Sequence, residues 1–216
     1  RARRSPRARW APAPACRPPG PEVAQGAVGA GTGMSAFGLK GGIGTASRVV
    51  ELDNRAWHLG TLVLANFGRR DDLRIDGRPV PEPGVASSAA DVGSICIVLA
   101  TDIPMDSRQL RRVCRRAGVG MARAGSFMGH GSGDIVVGFT TANRVRHDER
   151  RDVIAHSVLN ESRIDPVFRA AAESVEEAIL NAMVAAPAME GRGGRRESLA
   201  DQLRSLGYGR GAKPQP

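Results

Sequence analysis

The sequence predicts a mixed α/β fold in which strands and helices pack in layers. Two segments rich in β-forming or apolar residues, Ala46–Leu52 and Trp57–Asn66, precede an apolar run of strand length, Ser94–Thr101. Two longer segments, Ser107–Arg123 and Asp165–Ala186, carry apolar residues at helical spacing. Strand signals followed by long helical signals, without an internal repeat, are typical of a layered α/β domain.

The run Ser94–Thr101 reads SICIVLAT, and a continuous apolar run of this length predicts a strand that is buried on both faces. We therefore expect Cys96 to be a small core residue. A further strand, Ile135–Thr141, follows the glycine-rich segment Gly129–Gly133. In the helix Ser107–Arg123, the residues expected on the apolar face are Leu110, Val113, Cys114 and Ala117.

The helix Asp165–Ala186 has a start signal, because Asp165 is a favourable N-cap and Pro166 suits a first turn. Its apolar face is expected to consist of Phe168, Ala171, Val175, Ala178, Ile179 and Ala182. Ser174 and Glu177 also fit a capping box, S-x-x-E, so the pattern allows a helix start inside this segment.

Charge and composition divide the chain into three parts. Residues 1–22 are Arg, Pro and Ala without periodicity and predict a disordered tail. Residues 23–190 form the predicted domain, and residues 191–216 a flexible Gly- and Arg-rich tail. Of the net charge of +9, residues 1–21 carry +6 and residues 191–216 carry +4, which leaves −1 for the remainder. The domain itself is near neutral, so no specific nucleic-acid partner is expected.

Several function classes find no support in the sequence. No apolar run reaches the ~18 residues of a membrane helix, so we expect no membrane partner and a cytoplasmic location. Cysteines and histidines show no metal-ligand spacing, and we expect no metal, no cofactor and no structural disulfide. Gly29–Gly33 superficially matches a dinucleotide fingerprint, but no strand precedes it and more glycines follow, which argues against nucleotide binding.

Ser132 lies between Gly131 and Gly133, immediately before an apolar strand. One interpretation is a turn serine. The other is a nucleophile whose hydroxyl attacks the carbonyl of Gly131 and forms an ester that water hydrolyses. Gly131 tolerates the contorted backbone that this requires. The new α-amine, with a pKa of ~8, would then serve as the base, and no histidine is needed.

Three more polar residues each have two interpretations. Asn66 closes an apolar strand and is either a strand-end turn former or an amide donor to a developing oxyanion. Ser174 and Glu176 either cap a helix or contribute to a site. They would not share a face of a continuous helix, so a common site requires the helix to break or begin near Ser174.

At these residues the sequence resembles the L-aminopeptidase/D-esterase family of self-cleaving serine aminopeptidases, which includes the β-peptidyl aminopeptidases. The resemblance covers roughly residues 24–190. It rests on five segments in this order: GAGTGMSAFGLKGGIGTASRVV, LVLANFGRRDDLRIDGRPV, IVLATDIPMDSRQLRRVCRRAGVGMAR, HGSGDIVVGFTTANR and IDPVFRAAAESVEEAILNAM.

The resemblance implies a four-layer αββα sandwich similar to N-terminal-nucleophile hydrolases. It implies autocatalytic cleavage between Gly131 and Ser132, after which Ser132 removes N-terminal residues from small peptides, amino-acid amides or esters. Asn66 matches an oxyanion donor, and Ser174 and Glu176 match a pair that tunes the nucleophile. A homo-oligomer, a tetramer, is also implied.

One departure from the family pattern leaves other functions open. Members carry a long segment with strands and a tyrosine before the glycine-rich loop, which is residues 26–44 here. This sequence has its Arg/Pro tail in that place, so we expect a sandwich that is incomplete at its N-terminus. The alternatives are an inactive remnant that acts only through assembly, and an acyltransferase similar to ornithine acetyltransferase. The latter typically uses a threonine nucleophile, against which Ser132 argues.

Overall fold

The computed structural model describes residues 23–80, 93–192 and 194–207. The strands in these ranges are β1 (Ser35–Ala36), β2 (Leu39–Lys40), β3 (Gly42–Leu52), β4 (Arg55–Asn66), β5 (Arg74–Ile75), β6 (Arg78–Pro79), β7 (Ser94–Thr101), β8 (Ile135–Thr140), β9 (Met189–Gly191) and β10 (Gly194–Arg196). The α-helices are α1 (Ser107–Cys114), α2 (Ala117–Arg123), α3 (Asp165–Val184) and α4 (Leu199–Ser205). Short 3-10 helices occupy Gly29–Gly33, Arg70–Asp72 and Glu161–Arg163. The predicted mixed α/β class is confirmed. The predicted tail over residues 1–22 lies outside the described residues.

A four-stranded sheet with the order β3-β4-β7-β8 organises these elements. β3 and β4 form an antiparallel hairpin whose two turn residues, Asp53 and Asn54, both have positive φ, 51° and 58°. Such backbone is that of a type I′ turn, which suits the twist of a hairpin. β4 and β7 are antiparallel, whereas β7 and β8 are parallel. Because parallel neighbours need a long crossover, α1 and α2 lie in the connection between them.

Helix α3 packs across β3 and β4 and forms the main core with them. All six residues that the sequence placed on its apolar face are buried. No helix among the described residues is long and apolar enough to span a bilayer. The helices thus cover one face of the sheet, and the apolar spacing of α3 predicted its buried side correctly.

The contact between β3 and α3 depends on Gly44. A Cβ at this position would lie 1.9 Å from the Ala178 carbonyl oxygen and 2.6 Å from the Ala182 amide nitrogen, both backbone atoms of α3. We expect Gly44→Ala to lower the free energy of unfolding by about 3 kcal/mol, because helix and strand must move apart. Gly60→Ala in β4 is the matched control, since its Cβ would meet nothing closer than 3.9 Å. Denaturant unfolding of both variants measures the difference, and equal stabilities would contradict the packing described.

The other face of the sheet is exposed in the described residues. It carries large apolar side chains that alternate with the buried ones, namely Val49, Leu62, Ile135, Val137 and Phe139. We refer to these five residues as the open sheet face. Two predictions are therefore wrong: β7 alternates between buried residues and half-buried or exposed ones, and Cys96 is exposed on this side. A continuous apolar run predicts burial on both faces of a strand, but among the described residues only the face of the sheet towards the helices is covered.

Two helix predictions also differ from the structure. The segment 107–123 is two helices, because at Arg116 the backbone N–H bonds the carbonyl of Val113, three residues back, and turns the chain. The short α2 can then pack on α3. Asp165 is the first residue of α3, and its N-cap is Ile164, which makes no side-chain capping bond. Instead a capping box exists at the start of α1, where Asp106 and Gln109 bond each other's backbone N–H.

The packed part of the chain extends past residue 190, where the sequence predicted a flexible tail. β9 and β10 form a hairpin across this boundary, and α4 follows with Leu199 fully buried. The Lys40 N–H donates to the Glu197 carbonyl oxygen at 2.8 Å, which ties this segment to the glycine-rich loop. The rest of the predicted tail, residues 208–216, lies outside the described residues.

Candidate active site

Three strand ends meet at one end of the sheet. Asn66, the last residue of β4, pairs with Ser94, the first residue of β7. On the other side of β7 the parallel register places Gly133 beside Ser94, and the Gly133 N–H donates to the Ser94 Oγ at 3.0 Å. Two strand spacings separate Asn66 from Gly133, or about 10 Å. Ser132 and Asn66, which are distant in sequence, therefore lie at the same end of the sheet.

A tight turn leads into Ser132. The Ser132 N–H donates to the Gly129 carbonyl oxygen at 2.9 Å, so that His130 and Gly131 occupy the two central positions of the turn. Gly131 is exposed and Ser132 is half-buried. The peptide bond between Gly131 and Ser132 thus lies at the surface, where the chain leaves the turn and enters the sheet.

The hydroxyl of Ser132 has a defined partner. Its Oγ donates to the Asp134 Oδ1 at 2.5 Å, a short distance that is typical of a hydroxyl bonded to a carboxylate. The same carboxylate oxygen accepts the backbone N–H of Ile95 in β7 at 3.2 Å. Asp134 is therefore anchored on the sheet and fixes the direction of the serine hydroxyl.

The side-chain amide of Asn66 is oriented by the glycine-rich loop. Its Oδ1 accepts the Ser35 N–H at 3.1 Å, which identifies this atom as the oxygen. The Nδ2 group has no hydrogen-bond partner in the part of the chain that the structure describes. Because Leu62, Leu64 and Asn66 alternate on one side of β4, this donor lies on the side of the open sheet face.

Lys40 holds the glycine-rich loop that carries Ser35. Its ammonium group donates to the carbonyl oxygens of Gly31, Met34 and Gly41 at 3.0, 2.6 and 2.8 Å, and burial lowers the pKa of Lys40 from its usual value. The loop lies directly against β4, since a Cβ on Gly41 would be 2.4 Å from the Ala65 carbonyl oxygen.

The structure places Ser174 and Glu176 away from this end of the sheet. Ser174 is fully buried, and its Oγ is 2.6 Å from the Thr61 Oγ1 between α3 and β4. Thr61 precedes Asn66 by five residues on β4, or about 17 Å. Glu176 pairs with Arg123 of α2 at 3.4 Å.

Helix α3 is also continuous through Ser174, so the break that a shared site required is absent. The structure therefore places Ser132 and Asn66 at the same end of the sheet, but it does not place Ser174 and Glu176 there. A catalytic role for these two residues stays a prediction that rests on the resemblance.

Sequence reasoning did not single out three residues that hold this site: Asp134, Ser94 and Ser35. Asp134 and Ser35 lie inside segments that carried the resemblance, and Ser94 opens a predicted strand. A carboxylate two residues after a candidate nucleophile was the available signal. The contacts of Ser94 and Ser35 depend on the pairing of strands distant in sequence, for which spacing along the chain offers no signal.

Comparison with known proteins identifies the family of this chain. The sequence profile of Peptidase family S58 matches residues 2–197. The chain belongs to peptidase family S58. The resemblance drawn from the sequence segments is thereby confirmed.

The chain is also similar to individual proteins and to solved structures. The chain is 43% identical over 189 residues to the β-peptidyl aminopeptidase BapA of Sphingosinicella microcystinivorans, covering 80% of this chain and 48% of that protein. A protein from Pyrococcus horikoshii OT3 shares its fold with a TM-score of 0.75 and 48% identity, over 86% of this chain and 53% of that one.

The L-aminopeptidase D-Ala-esterase/amidase of Ochrobactrum anthropi matches with a TM-score of 0.75 and 42% identity, over 86% of this chain and 54% of that one. Its structure is described as a prototype for the serine aminopeptidases and as a variant of the N-terminal-nucleophile hydrolase fold. The chain thus spans about half the length of the proteins it matches.

Proposed function

We propose that this chain carries the nucleophile of a serine aminopeptidase of the N-terminal-nucleophile type. The observation that carries the proposal is the position of Ser132, half-buried between an exposed turn and β8. At the same end of the sheet, Asn66 presents an amide donor that has no partner among the described residues. Its two sequence neighbours are glycines, so the flanking backbone has the freedom that a reacting peptide bond needs.

The first step is autocatalytic cleavage. The Ser132 Oγ attacks the carbonyl carbon of Gly131, the peptide C–N bond breaks, and an ester joins Gly131 to the serine oxygen. Water then hydrolyses the ester, which leaves a carboxylate on Gly131 and a free α-amine on Ser132. This amine has an ordinary pKa of about 8 and lies next to the nucleophilic oxygen.

The second step is turnover. The Ser132 Oγ attacks the scissile carbonyl of a substrate, and the α-amine takes the hydroxyl proton and later delivers it to the leaving amine. The Asn66 Nδ2–H donates to the oxyanion, while the Ser35 N–H holds the amide in place from the other side. Water releases the acyl group and regenerates the enzyme.

The substrates proposed are small peptides, amino-acid amides and esters that present a free N-terminus. The names of the relatives, a β-peptidyl aminopeptidase and an L-aminopeptidase D-Ala-esterase/amidase, support this class. A cavity of about 290 Å³ next to Ser35, between the glycine-rich loop and the β9–β10 hairpin, is large enough for a side chain of such a substrate.

A homo-oligomer, a tetramer, is part of this proposal. The open sheet face supports it, because five large apolar side chains on one surface favour association. Light scattering of the purified protein tests this separately from the chemistry, and a monodisperse monomer would contradict it.

Mass spectrometry and N-terminal sequencing of the purified protein test the catalytic proposal. We expect two fragments, residues 1–131 and 132–216, and a second fragment that begins at Ser132. The same preparation should release p-nitroaniline from aminoacyl p-nitroanilides. An uncut chain, or a fragment that begins at another residue, would refute the proposal.

A further inference from the structure

Self-cleavage poses a problem that turnover does not. Before the cut, the nitrogen of Ser132 is a peptide nitrogen, which cannot act as a base. The hydroxyl proton must nevertheless leave as the Oγ attacks the Gly131 carbonyl. Some other group has to accept this proton in the uncut chain.

Among the described residues, the side chain that accepts a hydrogen bond from this hydroxyl is Asp134. The Ser132 Oγ and the Asp134 Oδ1 are 2.5 Å apart, within the range that a general base requires. The backbone N–H of Ile95 holds the same carboxylate oxygen at 3.2 Å, so the acceptor is fixed on β7 while the turn presents the serine.

The other polar side chains near this turn, Ser94 and His130, do not accept a hydrogen bond from the Ser132 hydroxyl. Ser94 bonds the same segment, but its Oγ accepts the Gly133 N–H and makes no recorded contact with the Ser132 hydroxyl. His130 lies at an exposed position of the turn, and no hydrogen bond of its ring is recorded in the described part of the chain.

We propose that Asp134 is the general base of self-cleavage, an inference that rests on the proposed function of Ser132. The carboxylate takes the proton as the bond between the Ser132 Oγ and the Gly131 carbonyl carbon forms. When the C–N bond breaks, the protonated Asp134 delivers this proton to the Ser132 nitrogen. The carboxylate is then free again, and water cleaves the ester by giving its OH to Gly131 and its remaining proton to Oγ.

This assignment separates processing from turnover. Once the cut has been made, the new α-amine of Ser132 is the base beside Oγ, so Asp134 is needed once in the life of each molecule. Removing the carboxylate should therefore slow the appearance of fragments without an equal loss of kcat in the molecules that have been cut.

The test is the rate of fragment formation by the full chain after refolding. Asp134→Asn keeps the side-chain shape and an oxygen for the Ile95 N–H, and we expect processing to slow by about 10²–10⁴-fold, the usual contribution of a general base. Ser126→Ala is the control, since it removes a hydrogen bond of a serine hydroxyl in the segment that leads into the same turn and should change the rate less than about tenfold. Thermal unfolding of each uncut variant verifies that it is folded.

A second variant distinguishes a base from a structural anchor. Asp134→Ala leaves space at a half-buried position next to exposed Gly133, and added formate should restore part of the processing rate. Chloride at the same ionic strength should not. An anchoring role alone would not be recovered by a free carboxylate.

The outcomes are distinguishable from a failure of the proposed function. Normal processing of Asp134→Asn next to a processed wild type would overturn the role of Asp134 and leave Ser132 as nucleophile. Slow processing of Asp134→Ala that formate does not accelerate would overturn it as well. A wild-type chain that is never cut would refute self-cleavage itself, and this inference with it.

Discussion

Ser132→Ala is expected to remain a single chain and to lose aminopeptidase activity by a factor on the order of 10⁶, the size of loss that follows removal of a catalytic serine. Without Oγ there is no atom to attack Gly131, so the ester cannot form and the α-amine is never released. Denaturing gels over several days measure the first effect, and p-nitroanilide hydrolysis measures the second. The fold should survive, because among the described residues the hydroxyl bonds only the side chain of Asp134.

Ser126→Ala is a suitable control for this experiment. Ser126 precedes the same turn, and its Oγ accepts the Met128 N–H at 3.1 Å without contacting Ser132. This variant should be cut and should remain active. A Ser132→Ala protein that is still cut at residue 132 would show that the nucleophile is a different group.

Asn66→Ala has the second largest expected effect, a fall in kcat of about 10²–10³-fold, the usual consequence of losing one oxyanion donor. It also removes the acceptor of the Ser35 N–H, so a stability loss of about 1 kcal/mol accompanies it. Asn66→Asp separates the two effects. The carboxylate still accepts the Ser35 N–H, but it offers no donor and repels a developing oxyanion. We expect low kcat with near-normal thermal stability, and normal turnover of Asn66→Asp would exclude the oxyanion role.

Glu176→Gln tests whether Glu176 only forms an ion pair, as in the structure, or tunes the nucleophile, as the resemblance implies. In the structure Glu176 contributes a partly exposed ion pair with Arg123, which is worth little, so kcat per folded molecule should stay the same. If Glu176 tunes the nucleophile, as the resemblance implies, self-cleavage and turnover should fall together. Measuring kcat and the thermal midpoint on one preparation distinguishes the two results.

The pairing of distant strands explains both what the sequence predicted and what it did not. Asn66 and Ser132 could be proposed because each lies at a recognisable strand end, and the resemblance assigned roles to them. That both lie at the same end of one sheet follows from β7, which pairs antiparallel with β4 and parallel with β8. Local spacing carries no information about either pairing.

The buried residues were predicted correctly for α3, where the apolar pattern is local. They were predicted poorly for β7, where burial depends on elements distant in sequence. The apolar positions of α3 repeat at helical spacing and are all buried. In β7 the continuous apolar run could not reveal that only one face is covered, and Cys96 was misplaced for this reason. Ser174 and Glu176 show the same limit, because a short polar pattern on a helix is compatible with a cap, a site or a packing contact.

A cut between Gly131 and Ser132 would turn one folding unit into two interdependent chains. The first fragment contributes β3, β4 and β7, whereas the second contributes β8 and the helix α3 that fills the core above β3 and β4. Neither fragment then holds a complete interior, so separating them amounts to unfolding them. Stability would become subject to mass action and would rise with protein concentration. Reassembly after denaturation would change from a first-order to a second-order process, so the cut that creates the catalytic amine would also make recovery from unfolding depend on the two fragments meeting again.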